Sequence, residues 1–119
     1  MKLAITSKGT TLDSEVDPRF GRAGYFVIVD SETLDFEVVD NSKNANAFKG
    51  AGIQAATAVG SKGAEVLMTG YCGPNAFKTL NAAGVKIVND TTGTIKDAVE
   101  TFNNGNCKYA EDANTDGHW

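Results

Sequence analysis

Between residues 53 and 102, short apolar runs alternate with amphipathic stretches, and glycine or proline stands at most of the changes. This alternation limits the fold more than any other feature of the chain. A strand followed by a helix and then a parallel strand in the same sheet requires a right-handed crossover. Ile53–Val59 fits a helix with Ile53, Ala56 and Val59 on one face, ended by Gly60 and Gly63. Glu65–Thr69 reads as a buried strand. The loop Gly70-Tyr71-Cys72-Gly73 leads to Pro74, placed where the first helical residue needs no N–H and a fixed φ is an advantage. Ala76, Phe77, Leu80 and Ala83 form an apolar stripe, with Gly84 just beyond the helix end. Val85–Val88 is the next strand. Thr94-x-x-Asp97 resembles a capping box that opens a helix with Ile95, Ala98, Val99 and Phe102 inward.

The first half of the chain differs. Residues 2–6 read as a strand, and Tyr25–Asp30 and Phe36–Asp40 as two more, separated by a short turn that implies an antiparallel hairpin. The element order is then β-β-β-α-β-α-β-α. It predicts an α/β fold with one mixed five-stranded sheet, order 3-2-1-4-5, and helices on both faces. That strand order suggests a ribonuclease H-like three-layer architecture. Two-metal nuclease chemistry needs clustered carboxylates, and the first strand, KLAITS, has none. The 119 residues suit one domain. Residues 1–105 are expected to form it, with 106–119 a polar and mostly mobile tail.

Charge and cysteine usage narrow the function. Fifteen acids against eleven bases give a net charge of −4, which disfavours nucleic acid and anionic membrane, since both demand a dense cationic face. No apolar run approaches a membrane span, and the N-terminus lacks the apolar core of a secretory signal. A cytoplasmic location is expected, where Cys72 and Cys107 stay reduced. There is no CxxC pair and one histidine, His118, so a closed four-ligand zinc site is not expected.

In open α/β sheets, ligands bind beyond the carboxyl ends of the parallel strands, where the winding changes direction. Here that point lies between the first strand and Glu65–Thr69, and three segments should meet there. The long irregular stretch 7–24 brings Arg19, Gly21 and Arg22. The loop into the second long helix brings Gly70, Cys72, Gly73 and Asn75. The turn before the last helix brings Thr92 and Gly93. Two helix N-termini with two arginines make an anion site within an acidic chain. Cys72, near a helix N-terminus that lowers a thiol pKa, is a candidate soft metal ligand, and His118 beside Trp119 is another. Each residue also has a plainer reading. The arginines can pair with Asp13, Glu15 or Asp17, and Cys72 can be a packing residue. Gly50-Ala-Gly-Ile-Gln-Ala spells a dinucleotide-type glycine motif, but it follows no strand directly. Neither a Walker loop nor a nucleophile elbow occurs, and a serine triad would have to recruit His118.

Three blocks carry a resemblance: Asp17-Pro-Arg-Phe-Gly-Arg-Ala23 with Tyr25-Phe26, Gly50-Ala-Gly-Ile-Gln-Ala-Ala56, and Gly73-Pro-Asn-Ala-Phe77 with Leu80 and Ala83-Gly-Val85. Collinear over residues 1–105, they resemble the dinitrogenase iron–molybdenum cofactor biosynthesis family. That family includes NifX-type carriers and the C-terminal domain of NifB-type proteins. The resemblance implies a ribonuclease H-like fold and a carrier, not a catalyst, that holds a metal–sulfur cofactor and passes it on. Tyr71-Cys-Gly-Pro-Asn and the Gly117-His-Trp ending look closer to the small stand-alone orange-protein branch than to NifX proper. Its members hold a molybdenum–copper sulfide cluster without strong covalent anchoring. Many family members carry His where Arg19 stands. A guanidinium has no lone pair for a metal, so this chain should hold its cargo by charge and hydrogen bonding.

The resulting expectation is a carrier for an anionic, molybdenum-containing metal–sulfide cluster, Mo–Cu–S or Fe–Mo–S, held mainly non-covalently. Arg22 would be its main charge partner, and proteins that donate and accept the cluster its macromolecular partners. The alternative is a cofactor-free protein-interaction module that uses the connector Asn41–Lys49 and the acidic tail.

Overall fold

A computed structural model describes residues 1–46 and 50–114. In chain order it contains β1 (Lys2–Ser7), β2 (Tyr25–Asp30), β3 (Phe36–Asp40), α1 (Ser42–Ala45), α2 (Ala51–Ser61), β4 (Val66–Met68), α3 (Pro74–Ala82), β5 (Lys86–Val88) and α4 (Ile95–Asn103). The strands form one sheet, ordered β3-β2-β1-β4-β5. β1 runs antiparallel to β2, with Lys2 opposite Asp30 and Ser7 opposite Tyr25, and parallel to β4, with Leu3 opposite Val66. β2 and β3 are antiparallel, and β4 and β5 parallel. The mixed sheet and its strand order are those expected from the element pattern. The single turn α1 is an addition; its polar, Asn-rich sequence carries no apolar periodicity to announce it.

Strand alternation divides the core in two. Ala4, Phe26, Ile28, Leu67 and Ile87 face α2 and α3. Leu3, Ile5, Val27, Val29, Val66, Met68 and Val88 face Ile95, Ala98 and Val99 of α4. Phe20, from the long loop, is buried on the first face and stacks on Phe26 with ring centroids 5.6 Å apart. The architecture is therefore three layers, helices–sheet–helix.

Two side chains assigned to the core are exposed instead. Ile53 is 45% exposed, and Ala83 is exposed. α2 starts at Ala51, two residues earlier than the apolar spacing predicts, and buries Ala51, Ala55, Ala56 and Val59. Small residues make this face because α2 lies close against α3. A Cβ on Gly52 would stand 3.2 Å from that of Ala76, and one on Gly60 3.5 Å from that of Ala83. A bulky Ile cannot enter such a contact.

The punctuation works as its chemistry requires. Gly84 takes φ +79 just after α3. Thr94 Oγ1 accepts the Asp97 N–H at 3.1 Å, and Asp97 Oδ2 accepts the Thr94 N–H at 3.1 Å, completing the capping box. Thr94→Ala is expected to cost about 1 kcal/mol in urea unfolding, with the chain still folded.

Polar composition led to the expectation that residues 106–119 would be mostly mobile. The described part, up to Asn114, is instead bonded to the domain. The Ala110 N–H donates to Ile87 O at 2.7 Å along the outer edge of β5. Ala110 and Ala113 pack against the first core face, and Cys107 against the second. The segment covers a sheet edge whose backbone groups would otherwise face solvent.

Candidate functional site

At the carboxyl ends of β1 and β4, the buried hydroxyls of Thr6 and Thr69 meet at 3.0 Å. Thr6 Oγ1 also lies 2.6 Å from Asp17 O, and the Asp17 N–H donates to Thr6 O at 2.9 Å. These bonds fasten the end of the long loop to the sheet. The loop then pairs with the segment after β4. The Tyr71 N–H donates to Pro18 O at 2.6 Å, and the Phe20 N–H to Tyr71 O at 3.2 Å, forming a parallel bridge between Arg19 and Tyr71. Gly70 is required there, because a Cβ would sit 2.8 Å from Pro18 Cα and O.

Gly21 lies against the start of α2. A Cβ on it would meet Gly52 N at 2.9 Å and Gly52 Cα at 3.0 Å. Since Gly52 in turn touches Ala76, three segments meet: the loop 17–22, the N-terminus of α2 and the N-terminus of α3. Asn41 holds the loop by donating Nδ2 to Gly21 O at 3.2 Å and Ala23 O at 2.8 Å. Asn44 bonds Asn41 Oδ1 at 3.1 Å and Ala51 O at 2.9 Å, tying the loop clamp to α2.

Neither α2, capped at Gly50, nor α3, capped at Gly73, has a side-chain cap or an acidic residue in its first turn. Among the described residues, no side-chain cap or first-turn acid therefore offsets the partial positive charge of their leading N–H groups. α4 is different. The N–H groups of Thr94, Ile95, Lys96 and Asp97 donate to Asp97 Oδ2, Ser14 O, Leu12 O and Thr94 Oγ1. Thr92 and Gly93 therefore precede a closed helix start. Gly93 serves geometry: its φ is +87, and its carbonyl accepts the Val16 N–H at 2.9 Å. The helix start that joins α3 is that of α2, which the sequence reading passed over. Its signal was the Gly50-Ala-Gly block, whose small residues permit the approach.

The arginines have unequal environments. Arg22 is half-buried and donates Nη1 to Ala45 O, the last carbonyl of α1, at 2.9 Å. Arg19 has a half-exposed side chain, and its Nε stands 3.6 Å from the carboxylate of buried Asp17, which also accepts the Arg19 N–H at 3.1 Å. Pairing of Arg19 with Asp17, one of the plainer readings, is thus present. The Nη groups of Arg19 make no hydrogen bond to a described residue. Asn75 is exposed on the first turn of α3.

Cys72 does not have the character expected of a ligand. It is fully buried in the core beside Ala76 and Phe77, with Sγ 3.8 Å from Gly73 O. Burial pushes its thiol from 9.0 up to about 12, the opposite of the lowering expected from a helix N-terminus, because a buried thiolate loses its hydration. The thiol is protonated at neutral pH. In the unfolded chain it ionises near 9.0, so folding stability is full below that pH and declines as pH rises toward about 12. Cys72→Ala should flatten this part of the stability–pH curve, read from urea midpoints between pH 8 and 11 against the parent. His118 lies outside the described residues. Among the described residues no group of three His, Cys, Asp or Glu could hold a metal ion, and no helix is long and apolar enough to cross a membrane.

A cavity of about 540 Å³ lies on the α4 side, between β5, α4 and the segment 106–114. Its rim carries Asp90, Glu111 and Asp112 against Lys108, a charge balance unsuited to an anion.

Proteins of known structure share this fold. The apo form of the orange protein from Desulfovibrio gigas is 45% identical, with a TM-score of 0.93 over 96% of each chain. A Thermotoga protein solved by NMR, provisionally named a NifB protein, is 40% identical, with a TM-score of 0.78 over 91% of each chain. A Methanocaldococcus jannaschii protein provisionally named a dinitrogenase, 14% identical with a TM-score of 0.71 over 94% of this chain and 96% of its own, shares the fold. Among curated proteins none matches significantly. The sequence model of the dinitrogenase iron-molybdenum cofactor family matches residues 1–105, and the chain belongs to that family.

Proposed function

We propose that this protein is a non-catalytic carrier that binds an anionic, molybdenum-containing metal–sulfur cluster, of Mo–Cu–S or Fe–Mo–S type, at the joined N-termini of α2 and α3. The observation that carries this reading is the junction itself. Two helix starts without side-chain caps or first-turn acids abut through Gly52 and Ala76. Beside them lies a loop bearing Arg19 and Arg22, in a chain of net charge −4. Sulfide ligands accept N–H hydrogen bonds, and a polyanion is favoured by helix N-termini and guanidinium groups together. The donor set fits a preformed cluster held from outside its own coordination shell: it offers amide and guanidinium N–H groups, with the nearest thiol protonated and buried. Arg19 supplies the more exposed charge. Arg22, anchored on α1, contributes its field from behind the loop. The orange-protein branch resemblance favours the Mo–Cu–S type, and the strand order supports the ribonuclease H-like reading of the fold. Cluster-donating and cluster-accepting proteins in the cytoplasm are the partners this role requires.

The test is direct. Apo-protein mixed without oxygen with tetrathiomolybdate and copper should develop a stable visible absorption that co-elutes with the protein and contains molybdenum. Elution of protein free of molybdenum at every ratio overturns the proposal.

A further inference from the structure

The family match ends at residue 105, yet the chain beyond it returns to the loop that opens α3. It crosses the edge of β5 through the Ala110–Ile87 hydrogen bond and reaches Tyr71-Cys72-Gly73 at Asn114. That one residue makes three bonds there. Its Oδ1 accepts the Cys72 N–H at 2.8 Å, its Nδ2 donates to Gly70 O at 2.9 Å, and its backbone N–H donates to Cys72 O at 3.2 Å. The amide side chain imitates a strand neighbour: one donor and one acceptor, in a fixed plane, engage Gly70 O and the Cys72 N–H, which flank Tyr71 on one edge of the backbone. On the other side the same loop is held by Pro18 O and the Phe20 N–H. Residues 70–72 are therefore gripped between the arginine loop and the C-terminal segment, one residue before the α3 cap at Gly73.

We infer that Asn114 is a positioning residue for anion binding: it fixes the Gly70–Gly73 loop so that the N–H groups opening α3 are preorganised beside those of α2. The inference rests on the cluster-carrier reading. It adds that the segment beyond the family domain is part of the binding apparatus. Preorganised donors bind an anion more tightly than mobile ones because less ordering occurs on binding. Asn is suited to the post. Asp at this position keeps the acceptor for Cys72 N–H but, when ionised, has no donor for Gly70 O.

The experiment compares the parent with Asn114→Ala, Asn114→Asp and Thr94→Ala, the last a variant weakened at the far cap of α4. In the apo-protein, Asn114→Ala should speed hydrogen exchange of the Cys72 amide about tenfold, in line with the loss of its acceptor. Thr94→Ala should leave that amide unchanged relative to its neighbours. For tetrathiomolybdate alone at neutral pH, Asn114→Ala should bind about tenfold more weakly, Asn114→Asp more weakly still, and Thr94→Ala as the parent does. In apo Asn114→Asp, the NMR signal of the Cys72 amide should titrate with one carboxylate midpoint and approach its parent position on the acid side, where the protonated carboxyl regains a donor. Unchanged Cys72 exchange in Asn114→Ala, or equal affinity losses in Asn114→Ala and Thr94→Ala, overturns the inference and leaves the carrier reading standing. A parent protein that takes up no molybdenum from tetrathiomolybdate, alone or with copper, overturns the carrier reading and, with it, the role in anion binding.

Discussion

Arg19→Glu should weaken tetrathiomolybdate binding about 100-fold. Removing a charge-assisted donor costs about 1.5–3 kcal/mol, and replacing it with an anion adds repulsion of about 1 kcal/mol or more at contact distance in a wet site. Together these come to about 2.5–4 kcal/mol, or about two to three powers of ten in the binding constant. Part of Arg19's charge is offset by Asp17, whose carboxylate lies 3.6 Å from Nε, so Arg19→Gln should cost less, about tenfold. The effect is electrostatic and half-exposed, so raising salt from 50 to 500 mM should shrink the gap between parent and variant. Arg19→Glu also brings a second carboxylate toward buried Asp17, and urea unfolding of each variant separates that loss of stability from the loss of binding. Parent-like affinity in Arg19→Glu and in Arg22→Ala alike would remove the electrostatic account.

Gly21→Ala should destabilise the fold by about 2–3 kcal/mol, with Tm falling by about 10 °C. The added methyl would stand 2.9 Å from Gly52 N and 3.1 Å from Ala51 C. Both are backbone atoms of a helix start and cannot step aside as a flexible side chain can. The arginine loop must then lift from α2, so tetrathiomolybdate affinity should fall as well. Gly70→Ala, with contacts of 2.8 Å to Pro18, should behave in the same way. Gly84→Ala is the matched control. Its Cβ meets nothing within 4 Å, although φ is +79, so only the left-handed backbone cost of about 1 kcal/mol remains, and anion binding should be untouched. Thermal unfolding and the same titration on all three variants decide this. If Gly21→Ala melts like Gly84→Ala, the close approach of loop to helix is not what holds the junction together.

Much of the layer structure was legible from residue order. Alternating side chains in β1 and β2 fall on opposite core faces, Leu3 and Ile5 on one and Ala4 on the other, because strand geometry leaves no alternative. Pro74, Gly84 and the Thr94–Asp97 pair mark helix ends by chemistry acting over three or four residues. The candidate site was legible in part. Arg19, Gly70 and Gly73 lie, as expected, beyond the carboxyl ends of the parallel strands, since strand direction determines where loops emerge. Ile53 misled because its apolarity was read without knowing how near α3 would lie. That Thr92 and Gly93 precede a closed helix start was not legible, because the carbonyls that close α4, those of Leu12 and Ser14, come from a loop about eighty residues earlier in the chain.

Elements and their order follow from local chemistry: periodicity, fixed φ at proline, free φ at glycine, and capping hydroxyls all act between neighbours in sequence. Which helix starts lie side by side, whether Cys72 is a thiolate or a buried thiol, and whether a polar C-terminal segment is bound to the domain depend on atoms far apart in the chain. Hydration, close packing and hydrogen-bond partnership are properties of the assembled surroundings. A thiol's pKa is set by the water it has lost, and a helix end's availability by the partner that reaches it, so these were decided only when the three layers came together.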